Sequence, residues 1–220
     1  MNLDRSFLYS IGFCGVLIVT GLASALILPD NVALPIHWNA SGAADGFADK
    51  WIALLINPFF AFIISLIFYT VIKTRSLNKN IDHNSLIINL CWISALFIFT
   101  IVQYAVIASA LRLANIMPNG LFIGIALMFG FLGNYLPKLK PSPIIGIRTP
   151  WTLKNEWVWI KTHRLGGKLL MVAAVAIGFC VVAGFSPETT LITMLLSLAI
   201  ALISPAIWSY FLWQQHKDVP

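Results

Sequence analysis

The sequence predicts an all-α integral membrane protein with six transmembrane helices, both termini cytoplasmic (N-in/C-in), a small outer hairpin loop and an inner interfacial helix. Three observations predict it. Only 10% of the 220 residues are charged and 59% are hydrophobic, where a soluble domain needs about 25% charged residues to cover its surface. Six apolar stretches, 7–28, 52–72, 86–111, 119–136, 169–185 and 190–213, reach or approach the ~20 residues that cross a bilayer as helix. Of the 14 Lys and Arg residues, all but Lys50 and Arg112 fall at one set of span ends, the retained cytoplasmic side. A membrane β-barrel would alternate polar and apolar residues over strands of about ten, which this chain does not do.

The first span, 7–28, contains Ala23-Ser24-Ala25, which resembles a processing site. Its apolar run is longer than the 7–15 residues of a signal core, so retention as an anchor is expected. The second span carries Asn57-Pro58, where the missing proline N–H predicts a kink. Polar side chains inside the spans are amides and hydroxyls: Asn57, Asn89, Gln103, Asn134, Ser197 and Ser204. Interhelical hydrogen bonding is their expected role. No ionisable group lies well inside a span, which argues against a proton-coupled pump. Gly120-x-x-x-Gly124 and Gly130-x-x-Gly133 predict close helix packing in the fourth span. Cys14, Cys91 and Cys180 all lie inside spans and read as packing residues, with no disulfide framework. By sequence the chain divides into a two-span module, 1–72, with its outer loop 29–51, a three-span module, 86–185, with a basic inner loop 137–168, and a final span, 190–213.

Two connections carry chemistry. In the outer one, Pro35-Ile36-His37-Trp38 leads in, Asp45-Gly46 is the expected turn, and Phe47 leads back to Lys50-Trp51, because Asp-Gly between apolar residues favours a hairpin. His37, Asp45 and Asp49 are too irregularly spaced to make a metal site a strong reading, and Asn39-Ala40-Ser41 matches a glycosylation acceptor. In the inner one, Pro137, Pro141 and Pro143 end the fourth span. Thr152 is the expected N-cap of a short helix over 153–164, closed by Gly166-Gly167. Leu153, Trp157, Ile160 and Arg164 then share one face, as an interfacial helix requires, with Lys154 and Lys161 beside phosphate. Arg148 has the planar fork that grips a carboxylate or phosphate. Its expected partner is internal, Glu156 or the carbonyls ending the fourth span, with an anionic lipid or docked protein as the alternative. Metallohydrolase and serine-hydrolase motifs are missing, and Glu156 and His163 are too far apart for acid–base partnership. The expectation is a protein that is not an enzyme and uses no cofactor or metal.

These loops also resemble a known family. P-I-H-W-N-x-x-G-x-x-D-G-F-x-x-K, Pro35 to Lys50, is similar to the first periplasmic or extracellular loop of the SdpI-type bacterial membrane proteins. G-N-Y-L-P-K-x-K-P, Gly133 to Pro141, with G-I-R-T-P-W-T-L and W-x-K-T-H-R, Gly146 to Arg164, resembles that family's second signature. The resemblance implies a plasma-membrane immunity protein that protects against a secreted, membrane-active killing peptide. It further implies signalling, by holding a soluble repressor at the membrane, without direct nucleic-acid binding. Carried over, the outer partner-binding residues are Pro35, His37, Asn39, Gly42, Asp45, Gly46 and Lys50. The inner ones are Asn134, Tyr135, Arg148, Thr149, Pro150, Trp151, Trp159, His163 and Arg164, with Pro137, Gly146, Thr152 and Thr162 also matching. Ser142 stands where asparagine is usual. Trp157 stands where an acid is common, which makes the inner helix more lipid-loving than the family pattern. From the residues alone, a small transporter or flippase-like carrier and a non-catalytic scaffold subunit remain alternatives.

Overall fold

In the computed structural model, which describes residues 3–73, 84–113 and 116–216, the six apolar stretches are six helices long enough to span a bilayer. They are α1 (Leu3–Ile27), α2 (Lys50–Lys73), α3 (Ser85–Ala110), α4 (Asn119–Tyr135), α6 (Glu156–Val182) and α7 (Pro187–His216). A five-residue helix, α5 (Pro150–Lys154), precedes α6. Strands β1 (Ala33–Trp38) and β2 (Ala44–Asp49) form an antiparallel hairpin between α1 and α2. Arg75, Lys79 and Lys217, which bear on the charge asymmetry, lie outside the described residues.

Apolar side chains at helical spacing face one another in two groups. Cys14, Leu17, Ala61, Ile88, Trp92 and Leu96 join α1, α2 and α3. Phe122, Phe129, Leu170, Ala173, Ile177 and Ala201 join α4, α6 and α7. In the α4–α6 crossing two glycines bring backbone against backbone. A methyl group at Gly133 would lie 2.7 Å from the Gly167 carbonyl oxygen, and one at Gly167 would lie 2.6 Å from that of Gly133. Another face of α4 meets α3, where a methyl at Gly124 would meet Ile101 Cδ1 at 2.4 Å. The expected small-residue packing thus serves two neighbours from one helix.

The polar side chains of the spans divide. Pro58 lacks the N–H that would bond the Leu54 carbonyl one turn back. Gln103 Nε2 donates to that oxygen at 3.2 Å instead, while Asn57 Nδ2 donates to Phe99 O at 2.8 Å and Gln103 Oε1 at 3.2 Å. The expected interhelical role therefore holds for Asn57 and Gln103. Ser197 and Ser204 instead bond carbonyls of their own helix, Met194 at 3.1 Å and Ile200 at 2.7 Å. A hydroxyl has that partner always within reach, so its tertiary role cannot be inferred from its presence in a span. Asn134 faces outward, and Asn89 Oδ1 is buried with no hydrogen-bond partner among the described residues.

The inner helix differs from expectation. Residues 153–164 are not a separate interfacial helix ending at Gly166-Gly167, and the fifth span does not begin at 169. α6 runs unbroken from Glu156 through both glycines to Val182. Those glycines permit close passage of α4 and of Ile147, whose Cδ1 would lie 2.8 Å from a methyl at Gly166. Close helix packing, not helix termination, is what selects glycine here.

Candidate functional site

At the hairpin end the chain turns at Asn39–Ala43, not at Asp45-Gly46. Asn39 Oδ1 accepts from Ala43 N at 3.0 Å and Ser41 Oγ at 2.7 Å, and the strands close through Asn39 N to Ala43 O at 2.9 Å. Gly42, at φ 82°, supplies the left-handed residue the turn needs. An asparagine that bonds its own backbone outcompetes Asp-Gly as the turn former. Asp45 and Gly46 instead belong to β2, opposite His37, where a methyl at Gly46 would meet His37 Cβ at 2.8 Å. That register brings His37 Nδ1 within 2.5 Å of Asp45 Oδ1, with both side chains largely exposed. Asp49 Oδ1 accepts from Trp51 N at 2.9 Å and starts α2.

Of the outer candidates, Pro35, Gly42 and Lys50 are buried. Lys50 is 2% exposed, and its Nζ donates to Leu28 O and to Asp30 Oδ1, both at 2.9 Å. It ties the end of α1 to the start of α2. The Lys50 hydrogen bond and charge hold the Asp30 carboxyl below its ordinary 3.8. The hairpin tip rests on the other connections at this end. A methyl at Gly42 would lie 2.7 Å from Pro118 Cδ and 3.3 Å from Pro187 Cγ. Beneath it, Ile36, Trp38, Met117, Leu121 and Met194 line a cleft of about 330 Å³.

At the opposite end, residues 136–155 form a strap folded over the helix ends. After the 3-10 turn Leu136–Lys138, Asn84 grips the peptide of Lys140 from both sides. Its Nδ2 donates to Lys140 O at 3.0 Å and its Oδ1 accepts from Lys140 N at 2.9 Å. Ser142 Oγ accepts from Ile144 N at 3.2 Å. The indole of Trp159, fully buried, donates to Leu139 O at 2.6 Å. Its ring stacks on that of His163 with centroids 4.0 Å apart.

His163 holds the next segment. Ile147 N donates to His163 Nε2 at 2.9 Å, so that nitrogen carries no proton, and Nδ1–H donates to Trp159 O at 2.8 Å. Only the neutral ring satisfies both bonds. Gly146, at φ 118°, lies so close that a methyl there would meet His163 Nε2 at 2.6 Å and the Trp159 ring at 2.7 Å.

Thr149, not Thr152, caps the short helix. Thr149 Oγ1 accepts from Thr152 N at 3.2 Å and Thr152 Oγ1 accepts from Thr149 N at 2.9 Å, a reciprocal capping box with Pro150 at the first helical position. Thr152 Oγ1 also donates to Ile147 O at 3.0 Å. Asn155 then caps α6, its side chain accepting from Val158 N at 3.0 Å. Ser209 of α7 is the anchor: its Oγ bonds Thr149 Oγ1 at 3.1 Å and accepts from Trp151 Nε1. Trp151 packs edge-on against Tyr210, centroids 5.2 Å apart.

Thr149, Pro150 and Trp151 of the strap and Trp159 and His163 of α6 are thus brought together at one hydrogen-bonded junction. Arg148, Asn134 and Arg164 are not; all three are exposed. Among the described residues, the ion pairs are His37–Asp45 and Lys50–Asp30. Among the described residues Arg148 therefore has no carboxylate partner, and the expected pairing with Glu156 does not form, because Glu156 opens α6 beyond the Asn155 cap and faces outward. Leu153 lies on α5, so the stripe drawn through Leu153, Trp157, Ile160 and Arg164 does not form. Tyr135 instead lies under Lys138, whose Nζ is 4.4 Å from the ring centroid. Nothing in the sequence pointed to Asn84 or Ser209, and Ser142 stood out only as a departure from the family pattern.

Six apolar helices capped by a two-stranded hairpin at one end and a polar strap at the other define a multi-pass helical membrane protein. Residues 138–209 match the SdpI/YfhL protein family, and residues 12–62 match a domain of unknown function, DUF1648. The chain is 30% identical over 190 residues, 86% of each chain, to the Immunity protein SdpI of Bacillus subtilis (strain 168). It belongs to the SdpI family, as a multi-pass protein of the bacterial membrane. No solved structure matches it.

Proposed function

We propose that this protein gives its cell resistance to a membrane-active antimicrobial peptide, with the hairpin outside and the strap facing the cytoplasm. The observation that carries this reading is the 30% identity, over 86% of the chain, to a relative named as an immunity protein. The orientation rests on the basic residues gathered at the strap end. The chemistry required is recognition without catalysis. The hairpin offers the exposed His37–Asp45 pair above an apolar cleft, suited to an amphipathic cationic peptide lying in the interface.

The strap supports a signalling role through a different set of residues. Its buried clamps fix the backbone, leaving Arg148 and Lys154 exposed toward a soluble partner such as a repressor. A carrier is less well supported, because the Asn57 and Gln103 donors along its expected path are spent on Leu54 O, Phe99 O and each other. A scaffold role draws support from no particular side chain.

The test is survival of a sensitive strain expressing the protein under peptide challenge. Protection by the wild type, weakened by His37→Ala with membrane levels unchanged, supports the reading. Killing that is the same with and without the protein rejects it. Arg148→Ala that keeps protection but abolishes recruitment of a soluble partner to membranes separates the signalling part from the resistance.

A further inference from the structure

The outward face of α4 and α6 carries two residues of the inner motif, Asn134 and Arg164, that lie apart from the strap, and it combines three things. First, Arg164 and Lys168 stand one turn apart on α6, both exposed and neither paired with an acid among the described residues. Second, counting back about 20 residues per 30 Å from Val182 puts the near edge of the hydrocarbon close to Thr162. Both cations then begin inside that edge, where a charge facing lipid is costly unless its side chain reaches back to the headgroups, where it meets phosphate. Third, directly below them an apolar groove of about 550 Å³ runs between the two helices. Ala126, Gly130, Ala174 and Gly178 form its floor, and Phe131 and Val175 its walls.

Asn134 lies at the head of this groove, exposed on α4. The Gly133–Gly167 contact fixes it at the level of Lys168, since each residue follows one of the touching glycines. Its amide is polar, faces outward and forms no interhelical bond among the described residues. An amide donor and two cations at the hydrocarbon edge, continuous with an apolar trough toward the membrane centre, match an anionic amphiphile in both charge and length.

We infer that the α4–α6 face is a binding site for an anionic phospholipid, its phosphate held by Arg164, Lys168 and Asn134 and one acyl chain lying over Gly130 and Gly178. Charge complementarity selects lipid over a second transmembrane helix, because an apolar helix would leave both cations without an anion. The inference is independent of the resistance reading and is tested on purified protein.

Native mass spectrometry of the full chain, titrated with phosphatidylglycerol or phosphatidylcholine, is the experiment. The wild type retains phosphatidylglycerol at least tenfold better than phosphatidylcholine. Arg164→Gln with Lys168→Gln removes that preference. Gly178→Leu fills the trough and weakens retention while leaving both cations; a methyl there meets nothing within 4 Å, so the fold tolerates it. Excess inorganic phosphate leaves retention intact, since the chain contributes to binding. Equal retention of the two lipids by the wild type overturns the inference. So does a doubled mass, lost in Gly178→Leu, that marks a second copy as the occupant.

Discussion

At the residue scale, single positions hold the strap, and each fails in its own way. Gly146→Ala forces a side chain onto a backbone at φ 118° and against His163 Nε2. The expected loss is about 1–3 kcal/mol, read as a lower unfolding temperature in detergent. His163→Phe preserves the ring stack on Trp159 but leaves the Ile147 N–H without an acceptor, costing about 1–3 kcal/mol. Amide exchange at Ile147 should quicken, and unchanged exchange would contradict the hydrogen bond. Asp30 behaves as a depressed carboxylate: its folded value lies below 3.8 because Lys50 stabilises the charged form. Its contribution is therefore complete above the unfolded value and fades as pH falls through the lower folded one. Titration by NMR should show the depression vanish in Lys50→Met.

At the element scale, α2 and α3 are coupled by a vacancy in the backbone ladder. Pro58 leaves the Leu54 carbonyl without its helical donor, and Gln103 fills the place. In Pro58→Ala the helix supplies its own donor, so Gln103→Leu should then cost less than in the wild type. The expected coupling is about 0.6–1.7 kcal/mol by double-mutant cycle. The hairpin depends likewise on Asn39. Asn39→Asp keeps an acceptor for Ala43 N and Ser41 Oγ, whereas Asn39→Leu does not. Limited proteolysis should therefore cut the tip faster in the second variant alone. These elements also show what the sequence makes legible. The six spans and the existence of the hairpin follow from apolar length and turn composition, which are local. The position of the turn and the start of α6 do not. Asp45-Gly46 and Gly166-Gly167 are as good turn and stop signals as Gly42, but glycine there serves contacts with His37 and with α4 and Ile147. Glycine that bends a chain and glycine that admits a neighbour look alike in one dimension. The same limit hid Asn84 and Ser209, whose partners are more than 50 residues away in the chain, and left Arg148 with an expected carboxylate that it does not meet.

At the scale of the whole molecule, two helix groups meet chiefly through α3 and α4, and each end is crossed by a polar element anchored on both. At the strap end Asn84 precedes α3, and Ser209 belongs to α7. At the other end Lys50 fastens the hairpin's base to α1, while its tip touches Pro118 and Pro187. The proposed orientation is checked by cysteines placed at Ala40 and Lys154. Membrane-impermeant maleimide added to intact cells should label the first and spare the second, and the reverse pattern would invert the topology. The contact of Gly42 with both prolines has a mechanical consequence. The tip acts as a stay between two bodies anchored separately in lipid, so any visitor that wedges beneath it must prise that stay loose before it can settle in the cleft. Occupancy there and the spacing of the two halves are one variable.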